Sequence, residues 1–163
     1  MKIIVISDTH IPISAKDIPS RVLTDIKDAD MIIHAGDLIE MDFLKQLQGL
    51  KPVKAVSGNM DSAEVKSQLK EREVFLLEGF KIGIIHGWGH PYKLLDLIKT
   101  EFKNTSGLSC VIYGHSHIAS INMVDGVIYF NPGSSTDKVF APYNSYGVLE
   151  IKDNKIIPHI IKL

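Results

Sequence analysis

Short apolar runs alternate with amphipathic stretches over the first 70 residues. The apolar runs have the length of strands, and the stretches between them repeat apolar positions at helical spacing. The predicted strands lie near residues 2–7, 30–35 and 52–57, and the predicted helices near residues 19–28, 41–48 and 62–71. Strands that alternate with helices are typical of βαβ units, so this half of the chain predicts a parallel sheet.

The next 40 residues mix a hairpin, a helix and a strand. Apolar runs at 73–77 and 81–85 flank Glu78-Gly79-Phe80, which predicts a hairpin. Pro91 is well placed in the first turn of a helix whose apolar residues recur at 3.6 spacing. A further strand is predicted at 109–113.

The rest of the chain is predicted to be entirely β. Asp125-Gly126 and Asp153-Asn154 each separate two apolar runs, and these residue types tolerate the positive φ of tight turns. The prediction for the whole chain is an α/β fold: a four-layer αββα sandwich of two mixed β-sheets flanked by helices.

Polar residues that can hold metal ions follow the predicted strands. They are Asp8, His10, Asp37, Asn59, His86, His115 and His117. In open α/β sheets the carboxyl ends of the strands line the ligand crevice, so five such strand ends predict one shared site. Four histidines, two aspartates and an asparagine are too many for one tetrahedral ion, and they suit two ions that share a carboxylate.

The local spacing supports this interpretation. Asp8 and His10 are two residues apart, which puts both side chains on one side of an extended segment, and His115 and His117 repeat that spacing. Gly36-Asp37 and Gly58-Asn59 place a glycine before the polar residue, where a tight turn lets the side chain project. Each fragment alone is more typical of a turn with a surface side chain; only their succession at strand ends favours a metal site.

The ordered set Asp8-x-His10, Gly36-Asp37, Gly58-Asn59, His86-Gly87 and Gly114-His115-x-His117 resembles the calcineurin-like metallophosphoesterase superfamily. The chain length, Ser7-Asp8-Thr9-His10 and Asn131-Pro132-Gly133-Ser134 are similar to its small YfcE/MJ0936-type phosphodiesterase branch, which has a Vps29-like fold. The resemblance covers the whole chain. It implies a metal-dependent phosphodiesterase in which a hydroxide that bridges two divalent ions attacks phosphorus.

The resemblance also implies a ligand set for each ion. Asp8, His10, Asp37 and His117 would hold the first ion, and Asp37, Asn59, His86 and His115 the second. Asp37 would then bridge the two. Mixed His, Asp and Asn ligation suits Mn, Fe, Ni, Co or Zn, with Mn or Ni favoured.

The chain departs from the larger family after the ligand asparagine. Many members have a histidine there that assists the leaving group, whereas this chain has Met60. His90 follows His86 closely and is a candidate substitute, although a loop histidine with no proton-transfer role is the more ordinary interpretation. Loss of such an acid would cost roughly 10²–10⁴-fold on poor leaving groups.

Other polar residues have ordinary interpretations. His34 is expected to be a satisfied histidine at a strand end, in the layer behind the metals. Asp61 is expected to cap the following helix, although it could instead hydrogen-bond a metal ligand. The turn 131–134 is expected to give structural support, with phosphate contact as the alternative. Crevice-rim residues Trp88, Tyr92 and 140–143 do not encode one particular substrate.

Composition limits the alternatives. The 163 residues, 45% hydrophobic and 23% charged, predict one soluble domain over residues 1–163. The single cysteine, Cys110, is expected to be an inert buried thiol in a reducing compartment, so a cytoplasmic location is the default. The net charge of −1 disfavours a large nucleic-acid partner, and no apolar run approaches the ~20 residues of a membrane span.

Three other functions are weighed against the phosphodiesterase. A Vps29-like protein-interaction scaffold with a vestigial metal site shares the fold, but a scaffold is free to lose histidines and here every ligand position is filled. A phosphomonoesterase uses the same chemistry. A nuclease like Mre11 is disfavoured by the short chain and its charge. The expected partner is a small phosphoester, and self-association of the chain is left open.

Overall fold

The structure is a computed structural model that describes residues 1–163. It contains ten strands and four helices. The strands are β1 (Lys2–Ile6), β2 (Met31–His34), β3 (Val53–Ala55), β4 (Arg72–Leu77), β5 (Phe80–Ile85), β6 (Leu108–Ile112), β7 (Ser120–Val124), β8 (Val127–Asn131), β9 (Ser145–Lys152) and β10 (Lys155–Lys162). The helices are α1 (Ser20–Lys27), α2 (Met41–Leu50), α3 (Ala63–Gln68) and α4 (Pro91–Phe102). No helix is long and apolar enough to span a membrane.

The first sheet has the strand order β10-β9-β1-β2-β3. Strands β1, β2 and β3 run parallel, as the alternating pattern predicts, while β9 pairs antiparallel with both β1 and β10. Every residue of β2 and four of the five in β1 are buried, because this part of the sheet is covered on both faces. The central strands are therefore near-continuous apolar runs.

The second sheet has the order β4-β5-β6-β8-β7 and is also mixed. Strands β5, β6 and β8 are parallel, and β4 and β7 join the edges as antiparallel hairpin partners. The turn between β4 and β5 is one residue shorter than predicted, since Phe80 already belongs to β5. Both turn residues, Glu78 and Gly79, have positive φ, which matches the right-handed twist of a two-residue hairpin.

Three apolar clusters define four layers. Ile3 and Val5 of β1 pack toward Ile84 and Ile112 of the second sheet, in the cluster between the two sheets. The alternate residues of β1 face a second cluster with α1, α2 and α3, and α4 covers the other sheet in the third. The arrangement confirms the predicted αββα sandwich. It also brings the carboxyl ends of the parallel strands of both sheets to one edge of the core.

Candidate metal centre

All seven predicted ligands lie in loops that follow strands, at the shared edge of the two sheets. In chain order, the loops after β1, β2, β3, β5 and β6 carry Asp8 and His10, Asp37, Asn59, His86, and His115 and His117. Five of the seven have a positive φ, between 45° and 68°: Asp8, His10, Asp37, His115 and His117. Left-handed backbone in non-glycine residues costs roughly 1–3 kcal/mol each and tends to collect at functional sites.

Glycines allow the loops to approach one another. A Cβ on Gly36 would lie 2.7 Å from Nδ1 of His86, and Gly36 itself has a φ of 91°. A Cβ on Gly58 would collide with the backbone and carboxylate of Asp37. Gly36 and Gly58, which precede Asp37 and Asn59, are therefore needed for the loops to pack against one another, as well as to form a turn.

Asp37 lies between histidines of both predicted ligand sets. Its Oδ1 accepts a hydrogen bond from the backbone N–H of Met60 at 2.7 Å. Its Oδ2 is 3.4 Å from Nε2 of His10 and 3.2 Å from Nε2 of His86. One oxygen thus faces a histidine of the first set and a histidine of the second, which is the geometry expected of a bridging carboxylate.

Hydrogen bonds fix which nitrogen of three histidines carries the proton in the neutral ring. Nδ1 of His86 lies 2.8 Å from the carbonyl oxygen of Ala35, and Nε2 of His115 lies 3.0 Å from that of Gly89. A carbonyl only accepts, so these nitrogens donate and the other nitrogen of each ring presents a lone pair. Nδ1 of His117 donates to Asp137 at 2.7 Å in the same way.

The lone pairs left by these hydrogen bonds face oxygen acceptors. Nε2 of His117 is 3.4 Å from Oδ1 of Asp8, and Nδ1 of His115 is 3.1 Å from Oδ1 of Asn59. His10 and His86 each have a buried Nε2 with no hydrogen-bond partner. Acceptors that face acceptors repel one another unless a cation lies between them, so the arrangement fits metal ions.

The separations of these atoms agree with shared coordination. Ligand atoms at about 2.1 Å from one ion are about 3.0–3.4 Å apart for octahedral to tetrahedral angles. Two groups converge closely enough to hold an ion: Asp8, His10 and His117, and Asp8, Asp37 and His86. The first group contains three of the four residues of the first predicted set, without Asp37. The second contains Asp37 and His86 of the second set, and Asp8 lies within reach of both.

The electrostatics of His86 reflect the carboxylates around it. Burial disfavours its charged form, but the negative charge of Asp8 and the contact with Asp37 outweigh burial and raise the pKa of His86 to about 9. Burial alone would raise the pKa of Asp37, but the contact with His86 and the N–H of Met60 lower it overall. The site therefore demands positive charge, as a proton or as a metal ion.

The interpretation of Asp61 as a helix cap is wrong. Ser62 caps α3, since its side chain accepts from the N–H of Val65. Asp61 is buried and accepts from the backbone N–H groups of Asp37, Ile39 and Gly58, at 3.2, 2.6 and 2.7 Å. It therefore ties the loop that carries Asp37 to the loop that carries Asn59.

His34 is a satisfied buried histidine, as expected. Its Nδ1 accepts from the N–H of Gly36 at 3.2 Å, so Nε2 carries the proton and donates to Oγ1 of Thr9 at 3.0 Å. Burial and the nearby His86 lower the pKa of His34 to about 3, which keeps the ring neutral. His34 thus supports the loops of Asp8 and Asp37 from behind.

Asp137 is a supporting residue that sequence analysis missed. It accepts from His117 in an irregular loop that has no periodic pattern to mark it. Ser134 lies in the turn 131–134, which was expected to give structural support, and its Oγ donates to the carbonyl oxygen of Asp8 at 2.7 Å, in agreement with that expectation.

Five of the seven side chains line a cleft of ≈ 580 Å³, and Asp8 and His86 are buried beneath it. Its lining includes Met60, Lys138 and Phe140 in addition to His10, Asp37, Asn59, His115 and His117. His90 instead lines a neighbouring cavity, where it caps α4 by accepting from the N–H of Tyr92 and stacks on the Tyr92 ring. The leaving-group role of His90 stays a prediction.

Comparisons with known proteins agree on one family. The calcineurin-like phosphoesterase superfamily domain matches residues 1–154. A probable metallophosphoesterase of Methanothermobacter thermautotrophicus is 37% identical over 166 residues, covering 99% of this chain and 92% of the relative. Phosphodiesterase MJ0936 of Methanocaldococcus jannaschii is 33% identical over 149 residues, covering 82% of this chain and 83% of the relative.

A solved structure has the same fold. Wild-type Vps29 of Entamoeba histolytica, complexed with Zn²⁺, superimposes with a TM-score of 0.74 at 25% identity, covering 99% of each chain. The predicted resemblance is therefore confirmed for both sequence and fold.

The stability of the metal-stripped protein should fall between pH 6.5 and 9. The pKa of His86 is raised on folding, so its contribution is complete below about 6.5 and is lost as pH rises through about 9. The loss attributable to His86 is on the order of 3 kcal/mol. Urea denaturation of the parent and of His86→Asn at both pH values isolates the contribution of His86 to the free energy of unfolding. His90→Asn, which changes an exposed histidine, is the control, and parallel pH curves for the parent and His86→Asn would contradict the assignment.

Proposed function

The chain belongs to the calcineurin-like phosphoesterase superfamily, and we propose that it is a dinuclear metal-dependent phosphodiesterase. The observation that carries this proposal is the convergence of the Nε2 atoms of His10, His86 and His117 on carboxylate oxygens of Asp37 and Asp8. The proposed ligands are Asp8, His10, Asp37 and His117 for one ion, and Asp37, Asn59, His86 and His115 for the other. Two divalent ions held there would polarise a phosphoryl oxygen and lower the pKa of water toward neutrality.

Residues around the site orient the proposed ligands and limit their contact with water. Ala35, Gly89 and Asp137 hold three histidine rings with their lone pairs toward the site. Asp8 is held by the hydroxyl of Ser7 at 2.6 Å and by the backbone N–H of His115 at 3.0 Å. Asp8 and Asp37 are almost fully buried, so little water competes for their oxygens.

The similarity to phosphodiesterase MJ0936 supports a diester substrate over a monoester. Lys138 is the only lysine or arginine that lines the cleft, alongside the acidic Asp37 and Asp137, so the two divalent ions would supply most of the positive charge that a phosphoryl group meets there.

Two further proposals concern metal and compartment. Mn²⁺ or Ni²⁺ suits the mixed nitrogen and oxygen ligation, with Zn²⁺, Fe²⁺ and Co²⁺ as alternatives. Burial raises the pKa of the Cys110 thiol to about 12, which suits an inert thiol, and we place the protein in the cytoplasm.

Chelation should abolish hydrolysis of bis(p-nitrophenyl) phosphate, and Mn²⁺ or Ni²⁺ should restore it, because in the proposed function the attacking water depends on the ions to lower its pKa. The measurement is release of p-nitrophenol by stripped and reloaded protein. Full activity after verified metal removal would refute the mechanism. Two bound ions without hydrolysis of any diester would favour a scaffold role instead.

Hydrolysis rates should fall steeply as the leaving-group pKa rises. Met60 lines the cleft where it cannot donate a proton, so bond breaking depends on the stability of the departing oxyanion. Met60→His should flatten the dependence in a series of aryl diesters of graded leaving-group pKa, measured with one metal.

His90→Asn keeps a capping side chain on α4 and tests the remaining histidine in the same series. A shallow slope in the parent that becomes steep in His90→Asn would identify His90 as the acid and overturn the expectation for Met60. An unchanged steep slope would assign His90 to helix capping alone.

A further inference from the structure

Asp137 contacts two different parts of the site with one buried carboxylate. Its side chain is 5% exposed, and Oδ2 accepts from Nδ1 of His117 at 2.7 Å. The same carboxylate accepts from the backbone N–H groups of Val139, Phe140 and Ala141, at 2.8, 2.9 and 2.6 Å. One side chain therefore orients a proposed metal ligand and shapes the segment that follows it.

The segment 138–141, here called the rim loop, forms one wall of the cleft. Val139 is 76% exposed and Phe140 73% exposed, and both line the cleft together with Lys138. Ile13 and Met60 are also exposed and line the same cleft. Large apolar side chains that are exposed beside a polar floor of metal ligands indicate contact with an apolar part of a ligand.

The orientation of the Phe140 ring favours a ligand with a flat group. Its ring meets the ring of His117 edge to face, with centroids 5.7 Å apart and an interplanar angle of 88°. A flat group attached to a phosphate bound beside His117 would lie next to Phe140. Offset or edge contact between such a ring and Phe140 is favourable, and it tolerates many ring types.

We propose that the rim loop, held by Asp137, receives the aromatic or heteroaromatic alcohol group of the substrate. The proposal rests on the proposed phosphodiesterase function and narrows its substrate class to diesters with at least one flat ring. Asp137 is a positioning residue in it, since it touches His117 and the rim loop and not the substrate. Phe140 is the residue that contacts the ring.

The anchoring role uses both oxygens of the carboxylate as acceptors. Asp137 accepts four hydrogen bonds: Oδ2 accepts from His117, Phe140 and Ala141, and Oδ1 accepts from Val139. An asparagine has one acceptor oxygen and would place an N–H₂ group against one set of donors. With its oxygen in place of Oδ2 the asparagine would lose only the bond from Val139, and in the opposite orientation it would lose those from His117, Phe140 and Ala141, whereas Asp137→Ala removes all four contacts.

The test compares binding of phenylphosphonate and methylphosphonate to Mn²⁺-loaded protein by calorimetry. These two probes share the phosphonate and differ in the ring, so the ratio of their affinities reports the ring site without requiring hydrolysis. The wild type should prefer phenylphosphonate roughly 5- to 10-fold. Phe140→Ala should bring the ratio close to one and retain both ions.

Asp137→Ala should reduce the same ratio and also weaken one of the two ions roughly 10- to 100-fold, measured by titration of stripped protein with Mn²⁺. Asp17→Ala and Met123→Ala are the matched controls, since they make the same kind of change at an exposed loop position and on an exposed edge strand. Both should behave as the wild type. Circular dichroism checks that each variant is folded.

Two results would overturn the proposal. A ratio unchanged by Phe140→Ala would refute the ring site, and Asp137→Ala that keeps either the ratio or both ions would refute the positioning role. If Asp137→Ala does not fold, Ala141→Pro removes one N–H donor to Asp137 and should lower the ratio while both ions remain. A preference for phenylphosphonate without hydrolysis of a diester would refute the proposed function alone. Hydrolysis of a diester without that preference would refute this inference alone.

Discussion

Acceptor atoms lie against acceptor atoms in the site at the shared edge of the two sheets. The hydrogen bonds of His86 and His117 leave Nε2 of each neutral ring as an acceptor that faces a carboxylate oxygen, of Asp37 and of Asp8 respectively. Nε2 of His10 lies near the same oxygen of Asp37. In a buried setting such contacts are costly unless positive charge compensates them. Without a metal ion, a proton on His86 supplies this positive charge, and the pKa of His86 is raised accordingly. Divalent ions meet it more completely, because each can bind several acceptors at once.

The rest of the structure holds these atoms in place. Five ligands adopt left-handed backbone, which persists only where surrounding contacts over-determine it. Those contacts come from Asp61, which joins the Asp37 and Asn59 loops, and from Asp137, which joins His117 to the rim loop. The two-sheet core provides the rigid edge from which the loops start. Chemistry on the loops therefore depends on a scaffold that is rigid behind them.

Sequence periodicity predicts the architecture, and it predicts that the proposed ligands lie at one edge of the core, for a physical reason. Parallel strands such as β1 and β2 end at a common edge, so Asp8 and Asp37 had to meet once the strands were identified. The role of Asp61 could not be predicted, because its partners Asp37 and Ile39 lie 24 and 22 residues away and local sequence suggested a cap. Asp137 lies in a loop without periodicity. Its role comes from hydrogen bonds with His117, 20 residues earlier, and with the backbone of the rim loop that follows it.

The most direct test of the account is the anomalous scattering of crystals loaded with Mn²⁺. The sharing of Asp37 predicts two anomalous peaks about 3.5–4 Å apart, one on each side of its carboxylate. The first should contact Asp8, His10 and His117, and the second Asn59, His86 and His115. In Asp37→Asn crystals both peaks should weaken together. A single peak, or two peaks of which only one contacts Asp37, would contradict the claim that this carboxylate bridges two ions.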